Sequence, residues 1–201
     1  MNILVTLEDN NGAIHRMSLE AIVAAQRISS ELNAKITALA MGKNADKLAL
    51  EASKYDLDEV LEINSSSLDS YSSDGYATAV EQIVSENNYS YVFFGHTYQV
   101  RDYVPKISAK LMRPFLADNV KMTISNNSIE FSKQAFNAKL FADIETSDNG
   151  LYLVSFQSAS FSSDDLKSGS SEIKKIDITL DETQIKNIYE EPFQESVGGV
   201  D

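Results

Sequence analysis

Residues 91–111 read YVFFGHTYQVRDYVPKISAKL. Four apolar residues, Tyr91–Phe94, run into Gly95, a polar stretch, the pair Arg101-Asp102 and then Tyr103–Met112 at helical spacing. A short continuous apolar run is the pattern of a strand covered on both faces. Strand, glycine, loop and helix in that order are how a parallel sheet presents its carboxyl edge, where such sheets bind ligands. Asp102 is placed to cap the helix. Pro105 fits a first turn, where a missing N–H costs no helical hydrogen bond. Arg101 is open to two readings, as a ligand for a phosphate or partner carboxylate or as a scaffold residue.

Upstream, the chain alternates between the same two patterns. Ile3–Leu7 is a short apolar run. Ser18 opens a helical pattern in which Leu19, Ile22, Val23, Ala25, Ile28 and Leu32 share one face. Lys35–Ala40 returns to strand, Asn44 is placed to cap a second helix, and Glu59–Ile63 is strand again. Asp74 is placed to cap a third helix carrying Tyr76, Ala79, Val80, Ile83 and Val84. Strands alternating with helices imply right-handed βαβ crossovers and a doubly wound, mainly parallel α/β sheet over residues 1–112.

The second half changes period. Ser128–Phe131, Leu140–Ile144, Leu151–Phe156 and Ile176–Leu180 read as strands, with turn chemistry at Asn126-Asn127 and Asp148-Asn149-Gly150. They are expected to be antiparallel additions to the sheet edge. Ser158–Ser171 reads as a loop. Residues 190–201, with Pro192 and Gly198-Gly199, read as a linker that closes a domain of residues 1–189.

Composition narrows the chemistry. A net charge of −13 argues against nucleic acid and against anionic lipid as partners. The absence of cysteine excludes disulfides, thiolate metal sites and a cysteine nucleophile. No window approaches the roughly 20 apolar residues of a membrane helix. These features, with no basic or long apolar segment at the N-terminus, point to the cytoplasm of a prokaryote.

Catalytic and metal motifs are missing: no G-x-S-x-G, no H-E-x-x-H, and carboxylates scattered along the chain. The two histidines, His15 and His96, read as polar loop residues. A phosphate cradle needs small residues that let backbone N–H groups approach. The loop after the first strand is Glu8-Asp9-Asn10-Asn11-Gly12, which repels an anion, and Gly95 is followed by bulky His96, Tyr98 and Gln99. Gly95, Arg101 and Asp102 are the candidates for cofactor contact. No catalytic residue and no metal ligand is expected.

The ordered set LEDNNGAIHRMSLEAIVAAQRI, KITALAMG, KYDLDEVLEIN, YVFFGHTYQVRDYVPKISAKLMRPFLADNVKM and FSKQAFNAKLFADIET resembles the N-terminal domain of the electron transfer flavoprotein alpha subunit. The family pattern is matched at Gly95, Arg101, Asp102, Pro105, Ala109 and Leu111, and by Asp118 and Val120 with Asn119 between them. Val100 stands where the family has a glycine. The resemblance implies an adenine-nucleotide-hydrolase-like α/β fold acting as scaffold and subunit interface. It implies a heterodimer with a beta subunit that holds AMP, and FAD bound in the full-length alpha subunit by a further domain. The complex would carry electrons from acyl-CoA dehydrogenases of fatty acid beta-oxidation and from other dehydrogenases to a quinone oxidoreductase or another respiratory acceptor. The fragment alone is expected to be redox inactive, with no direct membrane insertion. The alternative is a stand-alone nucleotide-binding module of universal-stress-like fold.

Overall fold

A computed structural model describes residues 1–126, 128–146, 150–180, 183, 185 and 186. The apolar runs of the first half become β1 (Asn2–Thr6), β4 (Lys35–Met41), β5 (Glu59–Ile63) and β6 (Tyr91–Gly95), and a small hairpin, β2 (Asp9–Asn10) and β3 (Ala13–Ile14), follows β1. The helical patterns become α1 (Arg16–Leu32), α2 (Ala45–Ala52), α3 (Ser73–Glu86) and α4 (Tyr98–Leu111). The second half supplies β7 (Phe115–Ser125), β8 (Ser128–Ala135), β9 (Leu140–Glu145), β10 (Tyr152–Phe156) and β11 (Glu172–Ile176).

Apart from the hairpin, these strands form one sheet of nine in the order β11-β5-β4-β1-β6-β10-β7-β8-β9. Every neighbouring pair is parallel except β7–β8 and β8–β9, so β8 alone runs against the rest. The mainly parallel, doubly wound α/β layer structure is therefore present. Side chains alternate between two cores. Ile3, Val5, Phe93, Val154 and Phe156 pack under α1 and α2, while Leu4, Val92, Phe94 and Leu153 pack under α3 and α4. All nine of these residues are buried. Burial on both faces is why Tyr91–Phe94 and Leu153–Phe156 are nearly continuous apolar runs.

Three expectations are corrected. Within the nine-stranded sheet Ser128–Phe131 and Leu140–Ile144 do add at the edge in antiparallel pairing, but that pairing goes no further than β7–β8 and β8–β9. β10 is instead a central parallel strand between β6 and β7, and β11 is a parallel edge strand. The last strand is Glu172–Ile176 and not Ile176–Leu180; Ile178 and Leu180 pack against the α3–α4 core without joining the ladder. β7 was hidden because the ladder shifts register between Asn119 and Lys121. A bulge of this kind breaks the alternation that marks a strand. Asp118, at φ +63, lies next to it.

The helix starts also differ from the sequence pattern. His15 caps α1, with Nδ1 accepting from the Met17 N–H at 3.2 Å, and Ser18 is already helical and buried. Asn44 holds the capping position of α2 but turns its amide to Asp9 Oδ2 at 2.7 Å. Ser72, not Asp74, caps α3, its hydroxyl accepting from the Gly75 N–H, and Asp74 pairs with Lys106 at 2.6 Å. Ser18, Asn44 and Asp74 each bond across space instead, to the Glu8 N–H, Asp9 and Lys106.

The loop before β11 is pinned to the body. Gln26 exchanges two hydrogen bonds with the Lys167 backbone, and Ser171 Oγ donates to the carbonyls of Tyr55 and Leu57. Asn126 has the left-handed φ of a turn. Asn127, residues 148 and 149 and the 190–201 linker lie outside the described residues. Among the described residues no helix is long and apolar enough to cross a membrane.

Candidate functional site

The chain leaves β1 toward β4 and β5 on one side and returns to β6 on the other, so the strand order reverses between β1 and β6. Ligands of open α/β sheets bind outside the carboxyl ends at such a point. An open cleft of about 820 Å³ lies there, lined by Glu8, His15, Met17, His96, Thr97, Tyr98, Gln99, Arg101, Asp118, Gln157 and Ser158. The N-termini of α1 and α4 frame it.

Residues 96–100, expected as loop, already belong to the joint and first turn of α4. Thr97 caps that helix: its Oγ1 accepts from the Val100 N–H at 3.1 Å while its hydroxyl hydrogen goes to the Glu8 carboxylate. Asp102 is therefore not the cap. It lies on the outer side of α4, accepting from the Tyr71 hydroxyl at 2.8 Å. Pro105 is in the helix interior rather than its first turn.

Glu8 is the residue whose importance the sequence understated. Burial pushes its carboxyl above the usual range, against the hydrogen bond from Thr97 and the nearby His15. Its backbone N–H donates to Ser18 Oγ at 3.0 Å. A carboxylate is thus held at the start of α4, where the helix dipole would otherwise favour a phosphate.

Gly95 serves helix packing. A Cβ there would lie 2.5 Å from Met17 Cβ and 2.9 Å from the Met17 carbonyl carbon, so α1 passes directly against the end of β6. Of the three candidates for cofactor contact, only Arg101 lines the cleft. Its guanidinium lies 5.4 Å from the ring centre of the exposed Tyr98.

Opposite Arg101, three residues close a triangle that the sequence did not reveal, because it needs β10 beside the β7 bulge. Ser155 Oγ accepts from the Asp118 N–H at 3.1 Å and meets His96 Nδ1 at 2.8 Å. His96 Nε2 faces Asp118 Oδ1 at 3.9 Å. A proton on Nε2 is favoured by that carboxylate, which leaves Nδ1 to accept the Ser155 hydroxyl hydrogen. Ser155 is fully buried, so its hydroxyl positions the other two residues and is closed to a substrate. Among the described residues no cluster of three or more His, Asp or Glu is arranged to hold a metal ion.

Burial lowers the pKa of His96; Asp118 opposes this, while Arg101 and Lys133 add to it. A histidine kept neutral in the fold makes stability fall as pH drops below the ordinary value of about 6.5, because the unfolded chain then binds the proton first. His96 is expected to titrate below that value in an NMR pH series. Asp118→Asn should lower it further by removing the one opposing charge. A His96 that titrates at the ordinary value, or that rises in the variant, contradicts this geometry.

Residues 3–181 match the family model described as the electron transfer flavoprotein domain. The chain is 25% identical over 199 residues to the electron transfer flavoprotein subunit alpha of Bacillus subtilis, covering 99% of this chain and 60% of that protein. It is 26% identical over 187 residues to the subunit of the same name in Clostridium acetobutylicum, covering 90% and 56%. It is also 26% identical over 145 residues to the lactate dehydrogenase (NAD(+),ferredoxin) subunit LctC of Acetobacterium woodii, covering 72% and 35%. The chain thus spans 60% or less of the length of these relatives.

Proposed function

The chain belongs to the electron transfer flavoprotein domain family, and from that premise we propose that it is the scaffold and subunit-interface domain of an electron transfer flavoprotein alpha subunit. The observation that carries this reading is the family match over residues 3–181. Residues 1–189 form the domain in this reading, and 190–201 connect it to a further domain that holds most of the FAD. A beta subunit with its own AMP is the partner. The assembled complex takes electrons from acyl-CoA and other dehydrogenases and passes them to a respiratory acceptor in a prokaryotic cytoplasm.

The cleft supports a structural role over nucleotide binding. The start of α4 is already occupied by Glu8 through Thr97, and the space above Gly95 is filled by Met17. Gly95, Arg101 and Asp102 then act as packing, rim and helix-surface residues. The one observation that favours the second reading, a nucleotide-binding module, is the position of the cleft at the strand-order reversal.

Size exclusion with light scattering, on this chain mixed with the beta subunit of its source organism, tests the first reading. A one-to-one complex is expected. Separate elution overturns it. Calorimetry of the chain alone with AMP and ATP tests the second: no binding heat is expected, and micromolar affinity would reverse the order of the two readings.

A further inference from the structure

Strands covered on both faces are normally free of charge. β1, β6 and β10 carry no charged residue, and β4 carries only Lys35 at its start. β5 breaks the pattern. It reads E-V-L-E-I from Glu59 to Ile63, with two carboxylates, although four of its five residues are buried. Inward-pointing charge is a device by which edge strands resist pairing with other chains. β5 is thus built as an edge, yet β11 covers it.

The cover is thin. None of the five β11 residues is buried, and β11 pairs with β5 alone, from Glu172↔Glu59 to Ile176↔Ile63. Strand alternation gives each face of the sheet one isoleucine and one lysine from β11. On the α3–α4 face, Ile176 is half-buried and Lys174 Nζ reaches Glu59 at 2.7 Å. On the α1–α2 face, Ile173 is half-buried and Lys175 Nζ lies 3.4 Å from Glu62 Oε1. That oxygen is buried and makes no hydrogen bond among the described residues, so β11 brings the cation that answers it.

The two ends of β11 are fixed differently. Upstream, the Gly169 and Ser171 N–H groups donate to the Lys54 and Ser53 carbonyls, and a Cβ at Gly169 would stand 2.6 Å from Asp56 Cα. Ser171 is therefore anchored in the body. Downstream, half-buried Ile178 and Leu180 rest on the α3–α4 core. Gln82 of α3 exchanges two exposed hydrogen bonds with the Thr179 backbone, and the Lys186 N–H makes an exposed one to Asp74. No residue from Glu172 to Leu180 is buried.

We propose that β11 is a releasable latch: Glu172–Leu180 peels from β5 and α3 as one unit, hinged at Ser171, while the other eight strands stay folded, and the two lysine–glutamate pairs set how often it opens. Opening frees residues 172–180, roughly 30 Å of extended chain. β5 then becomes the edge, and its own glutamates guard it. In the reading above, where a further domain follows, the open latch lengthens the tether to that domain. This consequence rests on that reading; the latch itself does not.

Hydrogen exchange of the whole chain, read amide by amide, tests the latch. Amides bonded between β5 and β11 are expected to open at least about 30-fold more often than those between β1 and β4. Raising salt from about 0.1 M to about 1 M shortens the screening length from about 10 Å to about 3 Å. It should speed the β5–β11 amides at least about fivefold relative to the β1–β4 amides, as two exposed ion pairs allow. Lys174→Gln/Lys175→Gln should give a similar gain at low salt and remove the salt response. Lys121→Gln/Lys139→Gln, an equal change of charge at exposed positions near the far edge, should do neither. The salt series on the parent chain needs no variant. The latch is overturned if the β5–β11 amides exchange in step with the β1–β4 amides, if salt speeds both sets equally, or if the two double variants behave alike. Each of those results leaves the subunit reading standing, since complex formation with the beta subunit tests that separately.

Discussion

Gly95→Ala is expected to lower the stability of the domain by about 2–3 kcal/mol, the upper part of the range for overpacking a close contact. The new Cβ would meet not only Met17 Cβ at 2.5 Å but the Met17 carbonyl carbon at 2.9 Å and its oxygen at 3.1 Å. Two of those atoms are backbone, so no rotamer change relieves the overlap. α1 must shift as a unit, and it buries Ala21, Ile22, Ala24, Ala25 and Ile28 against the sheet. The companion result is decisive. Adding Met17→Ala to Gly95→Ala should restore nothing, because alanine keeps the offending Cβ and backbone. Urea unfolding of the single and double variants measures both. Rescue by Met17→Ala, or a loss below about 0.5 kcal/mol, would mean that α1 does not rest on Gly95 as described.

Phe93→Ala should be more damaging still, by about 3–5 kcal/mol. Phe93 is fully buried at the middle of β6. Its ring centre lies 5.0 Å from Phe156 on β10, 6.1 Å from Phe131 on β8 and 5.8 Å from Tyr91. Truncation leaves a void bounded by rings that are themselves locked edge-on, so collapse into it is limited. Domains of this kind hold about 5–15 kcal/mol in total, and the variant is expected to populate unfolded chain at 37 °C. A chemical denaturation midpoint within error of the parent protein's would show that the aromatic cluster repacks freely.

The sequence made the first four parallel strands and their helices legible because strands buried on both faces read as apolar runs while the helices bury one face at helical spacing. It failed where long-range contacts set the structure. Thr97 caps α4 because Glu8, far away in sequence, comes within reach of its hydroxyl. Asp102, three residues before Pro105, gave the stronger local signal. β7 was obscured by its bulge at Asn119–Lys121. β10 looked like an edge strand because its neighbours in sequence are edge strands, while the sheet places it centrally. The cleft was legible as a place, through the strand-to-helix joint at Gly95. Its contents were not: Ser155, His96 and Asp118 come from three elements, and only the β7–β10 pairing brings them together.

That pairing has a bearing on how the polypeptide matures on the ribosome. Synthesis delivers β6, then β7, β8 and β9, and only afterwards the strand that lies between β6 and β7. Until β10 emerges, Phe93 lacks its Phe156 neighbour, and the β7–β9 unit has no ladder to the rest of the sheet. The nascent chain must therefore hold its half-built sheet open and admit a late central strand. Closure at such long sequence separation is intrinsically slow and leaves apolar edges uncovered meanwhile. The step most exposed to misassembly is the arrival of Tyr152–Phe156, so chaperone demand in the cell should peak there rather than at the helices.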